Sequence, residues 1–179
     1  MRRIESREEF KLILEVPELN SFLSTNSKNL TKLYSSRTIK SLYFDTIDFD
    51  IYKNQLLDDV DKFKIRIRSY SELPTFTKEI KENTSQGKVK ISEKLDIKSF
   101  EDVEEIYYLG KIYYPALFVS YERDYFKYEN ARITIDTNIH YQASSSRKLD
   151  TSIKEASHIV VEFKKYDINW KFIIVYLHR

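Results

Sequence analysis

Charged and apolar residues alternate with a period of two along five stretches of the chain: Lys64 to Arg68, Glu79 to Lys81, Lys88 to Lys90, Arg132 to Asp136 and Glu162 to Lys164. Successive residues of a strand point to opposite sides of a sheet, so each stretch puts its charges on one face and Ile, Val or Phe on the other. One such face is ordinary. Several, mostly cationic and accompanied by carboxylates, suggest a sheet surface built to hold a polyanion together with a metal ion.

The same patterning predicts the order of elements. Residues 3 to 12 alternate loosely as a first strand, 17 to 25 read as a helix, and a Ser-, Asn- and Lys-rich linker runs to about residue 36. Arg37 to Phe44 is a second strand, broken at Asp45 to Asp48, with a short helix or irregular connection over 49 to 57. Lys62 to Tyr70, Thr75 to Glu82 and Lys88 to Glu93 follow as strands on short connections, which argue for antiparallel neighbours. Ser99 with the carboxylates after it predicts a helix ending near Gly110. Pro115 precedes a long strand over 116 to 128, a Glu129-Asn130 turn leads into 131 to 139, and a Ser-rich loop over 142 to 157 separates these from 159 to 166. The tail from 167 onward is expected to be helical. About eight antiparallel strands with few helices favour closure into a barrel, which removes exposed edges.

Composition narrows the chemistry. The 179 residues fit one domain with a substantial core, and 30 Lys+Arg against 28 Asp+Glu leave a net charge of only +2, so any anion site comes from local patterning rather than bulk basicity. No cysteine is present, which excludes disulfides, thiolate metal sites and a Cys nucleophile, and the scattered His140, His158 and His178 form no metal motif. A metal here would have to be hard and oxygen-bound. Gly87 and Gly110 stand alone, so there is no glycine-rich phosphate loop. No apolar run approaches the roughly 20 residues that cross a bilayer, and the N-terminus turns acidic at Glu5, so the chain reads as soluble and cytoplasmic, with a membrane partner left open.

Which face of the strands points inward decides the function. If the Ile, Val and Phe face is the sole core, the charges are simply solvated. If helices and aromatic side chains cover that apolar face, the charged face lines a wet interior whose cations repel one another unless a polyanion fills it. The charged faces are then expected to converge on one central cavity. Tyr43, Phe44 and Tyr121 read as core aromatics, and Asp45 and Asp136 as turn or strand supports.

Ser41-Leu42-Tyr43-Phe44-Asp45-Thr46 with Asp48 and Tyr52, Lys64-Ile65-Arg66-Ile67-Arg68-Ser69-Tyr70, Ser120-Tyr121-Glu122-Arg123, Arg132-Ile133-Thr134-Ile135-Asp136-Thr137 and Val161-Glu162-Phe163-Lys164 resemble, in order and spacing, the VTC domain. That domain belongs to the triphosphate tunnel metalloenzymes, alongside the CYTH group, and the resemblance covers about residues 3 to 166. It implies an all-β-dominated (α+β) fold, an eight-stranded antiparallel β-barrel tunnel with a few peripheral helices, in a single domain over residues 1–179.

The resemblance also implies an activity: polyphosphate polymerase, moving the terminal phosphoryl group of ATP onto a growing chain with Mn2+ or Mg2+. Arg66 and Arg68 would grip phosphate from one wall, Lys81 with Lys88 or Lys90 from another, and Arg123 and Arg132 from a third. Arg7, Lys64 and Lys78 add to the phosphate-binding set, and Lys164 is a further cation. Glu162 would be the metal ligand, supported by Glu5 and Glu79. Family members add a tunnel lysine from a Ser-Lys-Tyr-like segment after the last strand, and none is visible before Arg179. Phosphoryl transfer suits these residue types, since it needs charge neutralisation and alignment more than covalent help. Rival readings are hydrolysis of triphosphate or nucleotide, a noncatalytic polyphosphate- or nucleotide-binding module, and an RNA-binding barrel. The last requires aromatics on the charged face, and no specific nucleic acid is expected.

Overall fold

The computed structural model describes residues 7–57, 62–70, 73–84, 87–145 and 148–166. Its elements are β1 (Arg7–Leu14), α1 (Val16–Asn26), β2 (Leu30–Asp45), α2 (Asp50–Gln55), β3 (Lys62–Tyr70), β4 (Leu73–Thr84), β5 (Gly87–Leu95), a 3-10 turn (Phe100–Asp102), β6 (Ile106–Tyr108), β7 (Lys111–Tyr128), β8 (Ala131–Ser145), β9 (Lys148–Leu149), β10 (Lys154–Glu155) and β11 (Ile159–Tyr166). The strands pair in the order β1-β11-β8-β7-β2-β3-β4-β5, with β6 on β7 and β9 and β10 on β8. The antiparallel, strand-dominated class is the one expected. β1 and β5 stand at the two ends of this order, so backbone pairing among the described residues does not close the expected ring.

Three expectations from the sequence are corrected. The Ser- and Lys-rich linker is strand from Leu30 onward. Long-range partners hold it extended: Lys32 Nζ lies 2.7 Å from Asp124, Ser36 donates to the same carboxylate at 2.6 Å, and Tyr34 meets Tyr125 edge to face. The helix expected after Ser99 stops at the 3-10 turn, although the Asp102 carboxylate accepts the Ser99 backbone N–H at 2.9 Å. Ile106 and Tyr108 are drawn instead into a hairpin with Tyr113 and Lys111, and this pairing also starts β7 ahead of Pro115. The 142–157 loop contains β9 and β10, short strands laid on β8. The expected terminal helix lies outside the described residues, as does Glu5. No helix among the described residues is long and apolar enough to cross a membrane.

The chain divides into two compact units, one from Met1–Ser36, Arg123–Thr137 and Ser157–Arg179, the other from Arg37–Glu122 and Asn138–Ala156. In the first, α1 begins at a Val16-Pro17 pair, with the Glu18 carboxylate accepting the Glu15 N–H at 2.7 Å. Its Leu19, Phe22 and Leu23 cover the apolar side of β1, β11 and β8, where Ile133, Val161 and Phe163 are fully buried. The Phe22 ring meets Phe163 edge to face at 6.0 Å. Each such side chain contributes about 1.5–3 kcal/mol of burial.

In the second unit, Leu42, Phe44, Ile65, Ile67 and Ile80 form the apolar side of β2 to β5, covered by Ile51 of α2 and by Phe100, Val103, Ile106 and Tyr113. The Asp45 carboxylate ties α2 down by accepting the backbone N–H groups of Thr46, Ile51 and Tyr52 at 2.7, 2.8 and 2.9 Å. Asp45 is therefore the turn support expected of it. In each unit the apolar side of the sheet is covered, and the strand alternation leaves the charges together on the other side.

Candidate functional site: two charged sheet faces

Register sorts the charges of the second unit into cross-strand rows. Ser41, Arg68, Thr77 and Lys94 form one row, Tyr43, Arg66, Glu79 and Ser92 the next, and Lys64, Lys81 and Lys90 a third. The first two rows are not solvated decoration: the side chains of Arg66 and Glu79 are only 11% and 8% exposed, and Arg68 is buried. Charged groups are rarely buried unless paired, and here each is. Arg66 donates from Nε and Nη2 to one oxygen of Glu79 at 2.8 and 2.5 Å, and from Nη1 to the Tyr43 hydroxyl at 3.1 Å. The other Glu79 oxygen takes Lys90 Nζ at 2.7 Å. Arg68 donates to Ser41 Oγ at 3.2 Å and to the Tyr121 hydroxyl at 3.3 Å.

These contacts set the protonation states. Burial works to raise the Glu79 pKa, but the hydrogen bond from Lys90 and the charge and hydrogen bonds of Arg66 outweigh it and pull the carboxyl down to about 2. Burial likewise opposes ionisation of Tyr43, yet Arg66, Arg68 and Lys64 lower its pKa below the ordinary phenol value. Burial disfavours the Arg66 charge, and Tyr43 and Glu79 restore it with a net rise. Glu79 therefore has both oxygens engaged in fixing two cations, Arg66 and Lys90. Tyr43 and Tyr121, expected as core aromatics, lie on the charged face with their hydroxyls against the arginines, whereas Phe44 is core as expected.

Of the other cations assigned to this region, Lys64 and Lys81 are exposed members of the third row. Lys88 is placed by backbone register opposite Asn83. Lys78 does not join them. It stands opposite Ile67 and Glu93, one residue out of phase with Glu79 and Lys81, and its Nζ is 2.5 Å from the Glu93 carboxylate. A one-residue offset reverses the face, and that removes Lys78 from the set.

The first unit carries a different mixture. Glu9, Lys164 and Arg132 stand in one row, Lys11, Glu162 and Thr134 in the next. Lys164 Nζ sits between two carboxylates, 3.1 Å from Glu9 and 3.3 Å from Glu162, and Lys11 Nζ is 3.8 Å from the other Glu162 oxygen. The Glu162 side chain is 9% exposed, while Arg132 is open to solvent. Arg123 is clamped through Nε and Nη2 to both oxygens of Asp136 at 2.5 and 2.6 Å, so Asp136 is the strand support it was expected to be. Arg7 is placed by register opposite Tyr166.

A hard divalent ion fits this second arrangement. Glu9 and Glu162 already hold a positive charge in common, the Lys164 ammonium, and carboxylates are the donors that Mg2+ or Mn2+ prefer. Among the described residues no group of three or more His, Cys, Asp or Glu gathers as a metal cluster, so the remaining ligands must come from other oxygens. Glu9 and Lys11 were missed in the sequence, although Arg7, Glu9 and Lys11 already alternate at period two. Tyr43, Tyr121 and Ser41 had no comparable signal, since only register brings them to the arginines.

Solved structures share the fold. A candidate adenylate cyclase from Bacillus halodurans superposes with a TM-score of 0.53 at 15% identity, covering 96% of this chain and 87% of that one. A conserved hypothetical protein from Pyrococcus furiosus gives 0.52 at 12% identity over 96% and 86%, and the PH1012 protein of Pyrococcus horikoshii OT3 gives 0.53 at 10% over 96% and 85%. No curated protein matches the sequence. The VTC domain model matches residues 6–102 and 77–173, spans that carry both charged faces and all of the described strands. The chain belongs to the VTC domain family.

Proposed function

We propose that residues 1–179 act as a single VTC domain that transfers the terminal phosphoryl group of ATP to a polyphosphate chain with a divalent metal. The observation that carries this reading is the row Lys64, Lys81 and Lys90, three lysines directly opposite one another on adjacent strands. Lysines gathered along one line of a sheet face raise the local positive potential, and a polyanion would be drawn to it. Next to this row stand Arg66 and Arg68, held by Glu79, Tyr43, Ser41 and Tyr121 in fixed orientations. Arg66 uses Nε and Nη2 on Glu79 and Nη1 on Tyr43, so the N–H groups left over on the two held guanidiniums are the ones that would meet phosphate oxygens.

Arg66 and Arg68 would orient the phosphates, with Lys64, Lys81, Lys88 and Lys90 neutralising the chain. Arg123, Arg132 and Lys164 add phosphate-directed charge, with Arg7 in a supporting place. Glu162, assisted by Glu9, would hold the ion. An ion held there would supply positive charge to offset the charge that develops on the phosphates in transfer. The protein groups supply binding, alignment and charge, and an acceptor phosphate supplies the nucleophile. Incubating the pure protein with ATP and Mn2+ and resolving the products by gel tests the reading. Long polyphosphate is the expected product. Free phosphate alone would replace the polymerase with a hydrolase, and tight polyphosphate binding with neither product would reduce the chain to a binding module.

A further inference from the structure

Thr134 is the anomaly of the first unit. It is 1% exposed, and its Oγ1 is buried without a hydrogen-bond partner among the described residues. Buried hydroxyls are almost always paired, because leaving one unpaired opposes folding. The position does not call for a hydroxyl on packing grounds. Ile133 and Ile135 on either side are core residues, and a valine would fill the same volume in a strand.

Thr134 alternates with those isoleucines, so it lies on the charged side of β8, directly opposite Glu162 across the β8–β11 ladder. The Glu162 carboxylate and Glu9 hold the Lys164 ammonium in common there, at 3.3 and 3.1 Å. A carboxylate at the paired position of the neighbouring strand disfavours a phosphate oxygen there and favours a cation. Hydroxyl oxygens are ordinary ligands of Mg2+ and Mn2+, as in nucleotide sites where a Ser or Thr binds the ion.

We infer that the Thr134 hydroxyl is an oxygen ligand for the divalent cation held at Glu162, an inference that rests on the phosphotransfer reading above. It accounts for a polar atom that is unpaired among the described residues, and it supplies a neutral donor beside the two carboxylates.

The test uses metal binding and melting, not turnover. Free Mn2+ is followed by electron paramagnetic resonance, with a nonhydrolysable triphosphate present, for the wild type, Thr134→Val, Thr134→Ser and Glu162→Gln. The wild type should bind, Thr134→Val should bind about tenfold more weakly or worse, Thr134→Ser should recover most of the affinity, and Glu162→Gln should lose it. Without metal, Thr134→Val should melt higher than the wild type, because the unpaired hydroxyl is gone. Equal Mn2+ affinity in Thr134→Val, or a lower metal-free melting temperature, overturns the inference. If that happens while the wild type binds Mn2+ and makes polyphosphate, the functional reading stands without it. A wild type that neither binds Mn2+ nor processes ATP removes both.

Discussion

The two charged faces differ in how they balance charge. On β2 to β5 one carboxylate, Glu79, serves Arg66 and Lys90 together, and Arg68 is held by the Ser41 and Tyr121 hydroxyls. On β1, β11 and β8 the ratio is near even, with Glu9 and Glu162 around Lys164, Lys11 beside Glu162, and Asp136 on Arg123. The first face has cations in excess and orients them rigidly, which suits an anion. The second has acids within reach of one shared cation, which suits a metal. Covered apolar sides make both faces available in the same way, so the difference lies in which residues occupy the polar phase of the alternation.

The largest effect separating the faces is expected in acid. Glu79 has a folded pKa of about 2 against an ordinary value of 4.5, so its contribution is fully present above pH about 4.5 and is lost as pH falls through 2. A shift of that size corresponds to about 3 kcal/mol. Urea unfolding between pH 6 and pH 2 should show this loss in the wild type and its absence in Glu79→Gln. Identical pH profiles would mean that Glu79 does not anchor Arg66 and Lys90.

Next in size is phosphate binding. Arg66→Ala should weaken triphosphate affinity by about 1.5–3 kcal/mol, the range for a hydrogen bond to a charged group. Arg132→Ala, exposed on the other face, should cost less than about 1 kcal/mol. Titration calorimetry on both variants decides it, and equal losses would erase the contrast drawn between the faces.

Turnover sharpens the same contrast from the metal side. Glu162→Gln keeps the size of the side chain and removes the charge, so polyphosphate binding should persist while synthesis from ATP with Mn2+ drops at least about tenfold, about 1.4 kcal/mol of transition-state stabilisation. Wild-type synthesis rates in this variant would take Glu162 out of the metal site. The smallest effect belongs to the solvent-exposed row. Lys64→Ala should change affinity by less than about 1 kcal/mol and flatten its dependence on salt, because exposed charges are screened over about 8 Å at physiological ionic strength. An unchanged salt dependence would show that the lysine row does not meet the anion.

Much of this was legible before any coordinates. Period-two alternation placed Arg66, Arg68, Lys81, Glu162 and Lys164 on polar strand faces, and Asp45 and Asp136 behaved as the supports their neighbours implied. The misses share a cause. Lys78 has the right charge in the wrong phase, Thr134 looks like an ordinary β-branched strand residue, and the 30–36 segment has linker composition but strand partners at Asp124 and Tyr125.

The sequence by itself therefore determined the strand class and the two-sided character of each strand, because side-chain alternation is a local property of an extended backbone. Only the tertiary structure decided which polar residues meet. Whether Glu79 faces Arg66, Tyr43 reaches its guanidinium or Lys164 bridges Glu9 and Glu162 depends on register between strands far apart in the chain, and a shift of one residue in any ladder would turn those contacts to the opposite face.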